Sequence, residues 1–303
     1  LQRANTISVL RNLGVRTHWL SNQSRAGSWD LASQIFGRTA QYSHFLNFEV
    51  ANAVFDDRHF DHELLPLLRR ELGESEGSNL FVVHSYAGHH DYCRNIPAKF
   101  HLTFDDAQTR TSWPGLFGLM QTRDAVAHRR EIDCYDSAIA YTSANLASVF
   151  TMAREQARPT LVIYFSDHGE DVLGGTSHDA AVPRYSHLTV PLYIWANASA
   201  RVSLAPLLER ARVHESSTYS LAWFSDTLLD AFSINLATRP LQSLFGENLK
   251  PIPRYALLRD ELIKGLTYIS LDEESEIYRE RDDGVARLAR QIRSLDDSSR
   301  DRL

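Results

Sequence analysis

An aspartate and a histidine stand side by side where an apolar run ends. Leu161-Val162-Ile163-Tyr164-Phe165 passes directly into Ser166-Asp167-His168-Gly169-Glu170. A carboxylate oxygen and an imidazole nitrogen are both ordinary zinc ligands. An unbroken apolar run of this kind reads as a strand buried on both faces, and in an open α/β sheet ligands bind beyond the carboxyl ends of the strands. Gly169 lets the chain turn there without a Cβ clash, so that the two neighbouring side chains need not point to opposite faces. A second apolar run, Leu80-Phe81-Val82-Val83, empties into His84-Ser85-Tyr86-Ala87-Gly88-His89-His90-Asp91. Two strands of one sheet that deliver imidazoles to the same edge suggest a shared metal or phosphate site. Gly174-Gly175-Thr176-Ser177-His178-Asp179 is flexible enough to fold a further polar group over the strand ends. The plain structural alternative is an N-capping Asp167 with hydrogen-bonded loop histidines at 84, 89 and 90.

The elements that must hold these residues follow from periodicity. Asn5 or Thr6 can cap a helix carrying Ile7, Val9, Leu10 and Leu13, with Gly14 as its stop, and Val15, Thr17 and Trp19 alternate toward a strand that ends at Ser21-Asn22-Gln23. Residues 24–60 read as loop and irregular chain. Asp61 starts a helix through Leu64, Leu65, Leu68 and Leu72, with Pro66 in its first turns and Gly73 as its end. Residues 97–130 read as an extended connection or lid. Ile132, Tyr135, Ile139, Thr142, Leu146, Val149 and Ala153 then lay one stripe along a long helix. That helix links the two histidine-bearing strands, which predicts the right-handed crossover of a parallel sheet. His187 to Trp195 reads as another strand, and Ser217 or Thr218 opens a helix bearing Leu221, Phe224, Leu228 and Phe232. The expected fold is α/β, a mostly parallel central sheet with helices on both faces. The expected division is a catalytic domain over residues 1–255 and a charged tail over 256–303.

Composition narrows the partners. The 303 residues are 43% apolar and 23% charged with a net charge of −6, a balance that suits a packed domain and disfavours nucleic acid or an anionic membrane surface. No apolar run reaches the roughly 20 residues that span a bilayer, and no secretory pattern opens the chain. The chain begins at Leu1, which suggests a processed product or a fragment. The two cysteines, Cys93 and Cys134, are plain core thiols in a reducing compartment and a disulfide if the domain is exported.

Together these motifs resemble the soluble catalytic domain of the lipid phosphoethanolamine transferases, a sulfatase-like branch of the alkaline phosphatase superfamily. The likeness runs to about Tyr255 through Trp19-Leu20-Ser21-Asn22-Gln23, the His84 to His89 loop, Cys134-Tyr135-Asp136-Ser137, Ser166-Asp167-His168-Gly169-Glu170 and Val190-Pro191-Leu192. The histidine loop departs from the family's His-x-x-Gly-Ser-His-Gly by a shift of one small residue and by His90 in the last Gly place. The resemblance implies zinc, one or two ions, on Asp167 and His168, with His89 and His178 as catalytic groups and as further metal ligands or phosphoryl contacts. It also implies Asn22, His84, His89 and His178 as substrate-binding candidates. The reaction it implies takes phosphoethanolamine from phosphatidylethanolamine, through a metal-activated Thr, to an envelope glycan or lipid A on the periplasmic side of the bacterial inner membrane.

The family's nucleophilic Thr, an acidic zinc ligand and the membrane helices precede the helix that starts here near Thr6. None lies within residues 1–303, so membrane contact is expected through that N-terminal region and the chain alone is expected to be inactive. Two other readings stand beside this one: a zinc-dependent phosphodiesterase or sulfatase-type hydrolase, and a non-catalytic envelope binding module.

Overall fold

The structure is a computed structural model, and it describes residues 5–25, 31–47, 58–101, 123–172, 178, 185–247, 249–250, 255–260 and 265–270. Helix α1 (Thr6–Asn12) is closed at its start by reciprocal bonds between Asn5 and Ser8, and Gly14 follows its end at φ +89°. That backbone geometry suits glycine, and it turns the chain into β1 (Arg16–Ser24). Helix α2 (Leu31–Thr39) and strand β2 (Tyr42–Asn47) come next, where the composition suggests only irregular chain. A 3-10 turn at Asp61–Glu63 leads into α3 (Leu64–Glu74), which carries Pro66 in its first turn and runs one residue past Gly73 before β3 (Asn79–His84).

Strands β2, β1 and β3 form a parallel sheet in that order, with Ser21 opposite His84 at the carboxyl end of the ladder. Central β1 is buried along most of its length because it has a strand on each side. One of its faces packs Trp19 with Ile7, Ala40 and Phe45; the other packs Leu20 with Leu64, Leu68 and Met152. Alternation along β1 thus supplies both layers of core.

The long helix α4 (Arg123–Arg154) delivers the chain to β4 (Leu161–Phe165). After the helical turn α5 (Tyr185–Leu188), β5 (Leu192–Ala196) pairs with β4 in antiparallel register. The expected parallel crossover is therefore corrected in one respect: among the described residues no ladder joins β4 to β3. Helices span the two sheets instead. On one side Met152 of α4 packs with Leu20, while Phe150 lies 5.5 Å from the ring of Trp195. On the other side α8 (Phe224–Ala231) packs Leu229 with Leu10 and Val15, and sets Phe224 against Phe165 at 4.4 Å.

The end of α4 is tied to the second sheet by Asn197, which is fully buried. Its amide donates to the carbonyls of Ala153, Gln156 and Arg158, and its oxygen accepts from Thr160 N and from Ala200 N at the start of α6 (Ala198–Ser203). Helix α7 (Ala205–Val213) follows, and α8 is entered through a 3-10 turn, Leu221–Trp223, capped by Ser220. Beyond the core, β6 (Tyr255–Asp260) and β7 (Gly265–Ser270) pair as an antiparallel hairpin across the expected boundary at 255. His187 is also placed differently from expectation. It is a buried residue of α5 rather than the start of a strand. Residues 102–122, which hold most of the expected lid, and 271–303, which hold most of the expected tail, lie outside the described residues.

Candidate metal centre

Three imidazoles from separate parts of the chain meet beyond the ends of β3 and β4. The ring of His168 is 4.5 Å from that of His178, and the ring of His89 is 5.6 Å from His178, edge to face. His168, Glu170 and His178 each offer a ligand atom within 4.8 Å of the others. Asp167 stands at the rim, 84% exposed, with its Oδ2 3.9 Å from His168 Nε2. Of the positions named from the sequence, the rings of His89, His168 and His178 lie near one another, while Asp167 stands exposed beside His168 and outside the group of three ligand atoms.

Each member is positioned by local bonds. His168 Nδ1 lies 3.0 Å from the carbonyl of Gly169; donating there leaves the imidazole lone pair on Nε2. Ser166 Oγ donates to the carbonyl of His168, and Gly169 N–H donates to the carbonyl of His187 at 2.8 Å, which docks the strand end on α5. The need for glycine at 169 is one of close approach: a Cβ there would lie 1.8 Å from the Ser186 carbonyl oxygen.

The loop of His89 is held at both ends. Asp61, buried at 3% exposure, accepts the backbone N–H groups of Tyr86 and Ala87, each at 2.9 Å, and the amide of Asn22 at 2.8 Å. Burial pushes the Asp61 carboxyl above the ordinary carboxylate range, against the effect of those three donors. At the far end Asn95 donates to the carbonyls of His89 and His90, and the Tyr86 ring stacks on His89 at 4.7 Å. Cys93 and Cys134 are joined by a disulfide that fastens the 3-10 turn Tyr92–Asn95 to α4.

Glu170 lies beneath His178. Its carboxylate accepts from His178 Nδ1 at 2.7 Å while its side chain is only 4% exposed. The buried Tyr92 hydroxyl faces the same carboxylate, and burial together with that negative neighbour pushes the phenol well above its usual range.

Two candidates stand elsewhere. Asn22 is buried, with its amide on Asp61 and its carbonyl groups accepting from Asn47 Nδ2. His84 bonds Ser21 Oγ through Nδ1 at 2.9 Å, and its ring lies 5.4 Å from that of Trp19. Glu170 and Asp61 are the residues that sequence reasoning passed over. Glu170 had a signal, an acid two residues from a candidate ligand. Asp61 had none, since an aspartate before a leucine-rich helix looks like any helix start.

The donor set suits zinc. It combines imidazole nitrogens and carboxylate oxygens, one imidazole already donates its other nitrogen to a carbonyl and another to a carboxylate, and the exposed rim at Asp167 leaves an open side.

A sulfatase family model matches residues 2–234. The phosphoethanolamine transferase EptC of Escherichia coli is 23% identical over 211 residues, covering 65% of this chain and 33% of its own length. The phosphoethanolamine transferase OpgE of the same species is 23% identical over 169 residues, 54% of this chain and 27% of its own length. The chain thus spans about a third or less of these relatives. The crystal structure of the C-terminal periplasmic domain of EcEptC from Escherichia coli in complex with Zn superposes with a TM-score of 0.71 at 19% identity, covering 90% of this chain and 72% of that one. That likeness is one of fold, and it agrees with the α/β architecture described above.

Proposed function

Because the chain belongs to the sulfatase family, matched over residues 2–234, we propose that it is the zinc-binding domain of a phosphoethanolamine transferase. One observation carries the reading: His89, His168 and His178 converge at a single rim with Asp167 beside His168 and the Glu170 carboxylate beneath His178. Asp167 and His168 would hold zinc, with His178 and His89 completing its surroundings or meeting the phosphoryl oxygens. Bound there, zinc supplies positive charge against the oxygens of the transferring phosphoryl group. The His89 ring can donate a hydrogen bond to the same oxygens and is kept at its post by the stacked Tyr86 ring, while His178, whose Nδ1 is bonded to Glu170, is left with Nε2 for the metal. Asn22 and His84 act from beneath, Asn22 by seating Asp61 under the histidine loop and His84 by closing the end of β3 on β1.

The donor in this reading is phosphatidylethanolamine and the acceptor an envelope glycan or lipid A, met on the periplasmic side of the bacterial inner membrane. Among the described residues no helix is long and apolar enough to cross a membrane. In this reading the nucleophilic Thr and a further acidic ligand are not among residues 1–303, so this chain alone binds zinc weakly and does not turn over.

Zinc titration by calorimetry tests the site. Wild type is expected to bind, and His168→Ala and His178→Ala to weaken binding at least about tenfold. Unchanged affinity in both variants overturns the assignment. Transfer of phosphoethanolamine from labelled phosphatidylethanolamine by the 303-residue chain overturns the claim that the nucleophile lies elsewhere. Release of nitrophenol from a nitrophenyl phosphodiester with no lipid transfer favours the hydrolase reading.

A further inference from the structure

We propose that Glu170 is a positioning residue, a buried carboxylate set against Tyr92 that holds the His178 imidazole in its Nδ1–H tautomer. The proposal rests on the reading of His178 as a metal ligand. A neutral imidazole carries its proton on either nitrogen, and only the nitrogen without it can bind a cation. Glu170 Oε1 sits 2.7 Å from His178 Nδ1, so the carboxylate takes that N–H and the lone pair falls on Nε2. His178 is 38% exposed, and its Nδ1 is bonded to the Glu170 carboxylate.

Glu170 is itself held from below. A carboxylate at 4% exposure must be satisfied by donors to stay in place. The Tyr92 hydroxyl is buried near it and makes no hydrogen bond among the described residues, so its proton is available to the carboxylate. The Tyr92 ring meets Tyr135 edge to face at 5.1 Å. Tyr92 and Tyr135 each adjoin one half of the Cys93–Cys134 disulfide, so both phenol-bearing segments are covalently tied beneath the carboxylate. Ala87, Tyr92, Cys134 and Val172 pack in one cluster, which sets the backbone close to Glu170. The chain of contacts runs from the disulfide through Tyr92 to Glu170 and ends at His178. A direct metal ligand would need its carboxylate turned to the rim, whereas this one is enclosed and already accepts from the ring that faces the rim.

The test reads tautomers directly. Long-range proton–nitrogen spectra of the metal-free, nitrogen-labelled chain are taken well above the ordinary imidazole pKa of about 6.5. The His178 signals are identified by their loss in His178→Gln. Wild type is expected to show Nδ1–H, and Glu170→Gln to keep it, because the Gln carbonyl still accepts. Glu170→Leu is expected to move His178 to a tautomer mixture and to weaken zinc about 10–100-fold, with Glu170→Gln weakening zinc less than Glu170→Leu. An Nε2–H signal in wild type overturns the proposal, as does an unchanged His178 signal in Glu170→Leu. Equal zinc loss in both variants with His178 unmoved makes Glu170 a direct ligand and overturns it as well. Should Glu170→Leu fail to fold, the wild-type tautomer alone still decides against or for the bond. Absence of zinc binding in wild type would count against the metal site only, since the tautomer is read without metal.

Discussion

Asn22 donates its side-chain amide to Asp61 at 2.8 Å, with both residues buried under the loop that carries His89. Asp61 satisfies three donors at once, so its loss strands the N–H groups of Tyr86 and Ala87 and the amide of Asn22. Asp61→Ala is expected to destabilise the chain by about 3 kcal/mol or more, because each buried donor left without a partner costs about 1–3 kcal/mol. Asn22→Ala is expected to cost about 1–3 kcal/mol. Urea unfolding measures both. An Asn22→Ala chain as stable as wild type would return Asn22 to the substrate-binding role that its motif implies.

Gly169 is tested against Gly88. The added methyl of Gly169→Ala meets the Ser186 carbonyl and must push α5 away from the end of β4, whereas a methyl added at Gly88 would have nothing within 4 Å. Gly169→Ala is expected to lose about 1–3 kcal/mol as an overpacked site and to weaken zinc. Gly88→Ala is expected to stay within about 0.5 kcal/mol of wild type. Equal stabilities would show that the strand end does not depend on this close approach.

His18 makes the fold sensitive to acid. It is buried in β1 between the rings of Tyr42 and Phe81, with Glu71 Oε2 at 3.0 Å and Asn79 at 3.3 Å, while His44 lies 3.4 Å from the other Glu71 oxygen. Burial outweighs its partners and holds the imidazole below its ordinary value of 6.5. A group whose folded pKa is depressed contributes stability that is full above the unfolded pKa and is lost as pH falls through the folded one. Glu71 is depressed too, and its share is lost further down, below its ordinary value of 4.5. Thermal melts are expected to fall as pH drops from about 7 toward 5. His18→Gln is expected to flatten that limb, and an identical slope in the variant would exclude His18 as its source.

The disulfide closes a loop with a sequence separation of 41 residues. In the chain-entropy picture that constraint stabilises by about 4 kcal/mol, so Cys93→Ser with Cys134→Ser is expected to lower the urea midpoint accordingly. No shift in midpoint between oxidised and reduced wild type would remove this contribution.

Much of the site was legible because its signal is local. An apolar run that ends in Asp-His needs only the strand period to place both groups at a sheet edge, and the Asn5 cap and Gly14 stop of α1 are read from neighbouring residues. What failed was long-range. The segment of α2 and β2 looked irregular because its stability comes from packing on β1, where Gly37 would set a Cβ within 2.5 Å of the Phe45 ring. His187 stood at the start of an expected strand, yet its backbone turns helical and its carbonyl serves Gly169. Nor was the partner of β4 legible. An apolar run states that a strand is covered on both faces and says nothing of which edge it pairs with or in which direction.

Taken alone, the sequence determined the chemical inventory of this protein: which strands end in imidazoles, which cysteines can bond, and that the balance of charge suits neither nucleic acid nor an anionic membrane surface. Tertiary structure alone decided that histidines 89, 168 and 178 share one rim, that Glu170 lies under His178 and Asp61 under the loop of His89. The physical reason is range. Periodicity and capping act over a few residues, whereas the bonds that aim an imidazole join groups far apart in the chain, and only the packed core brings them within hydrogen-bonding distance.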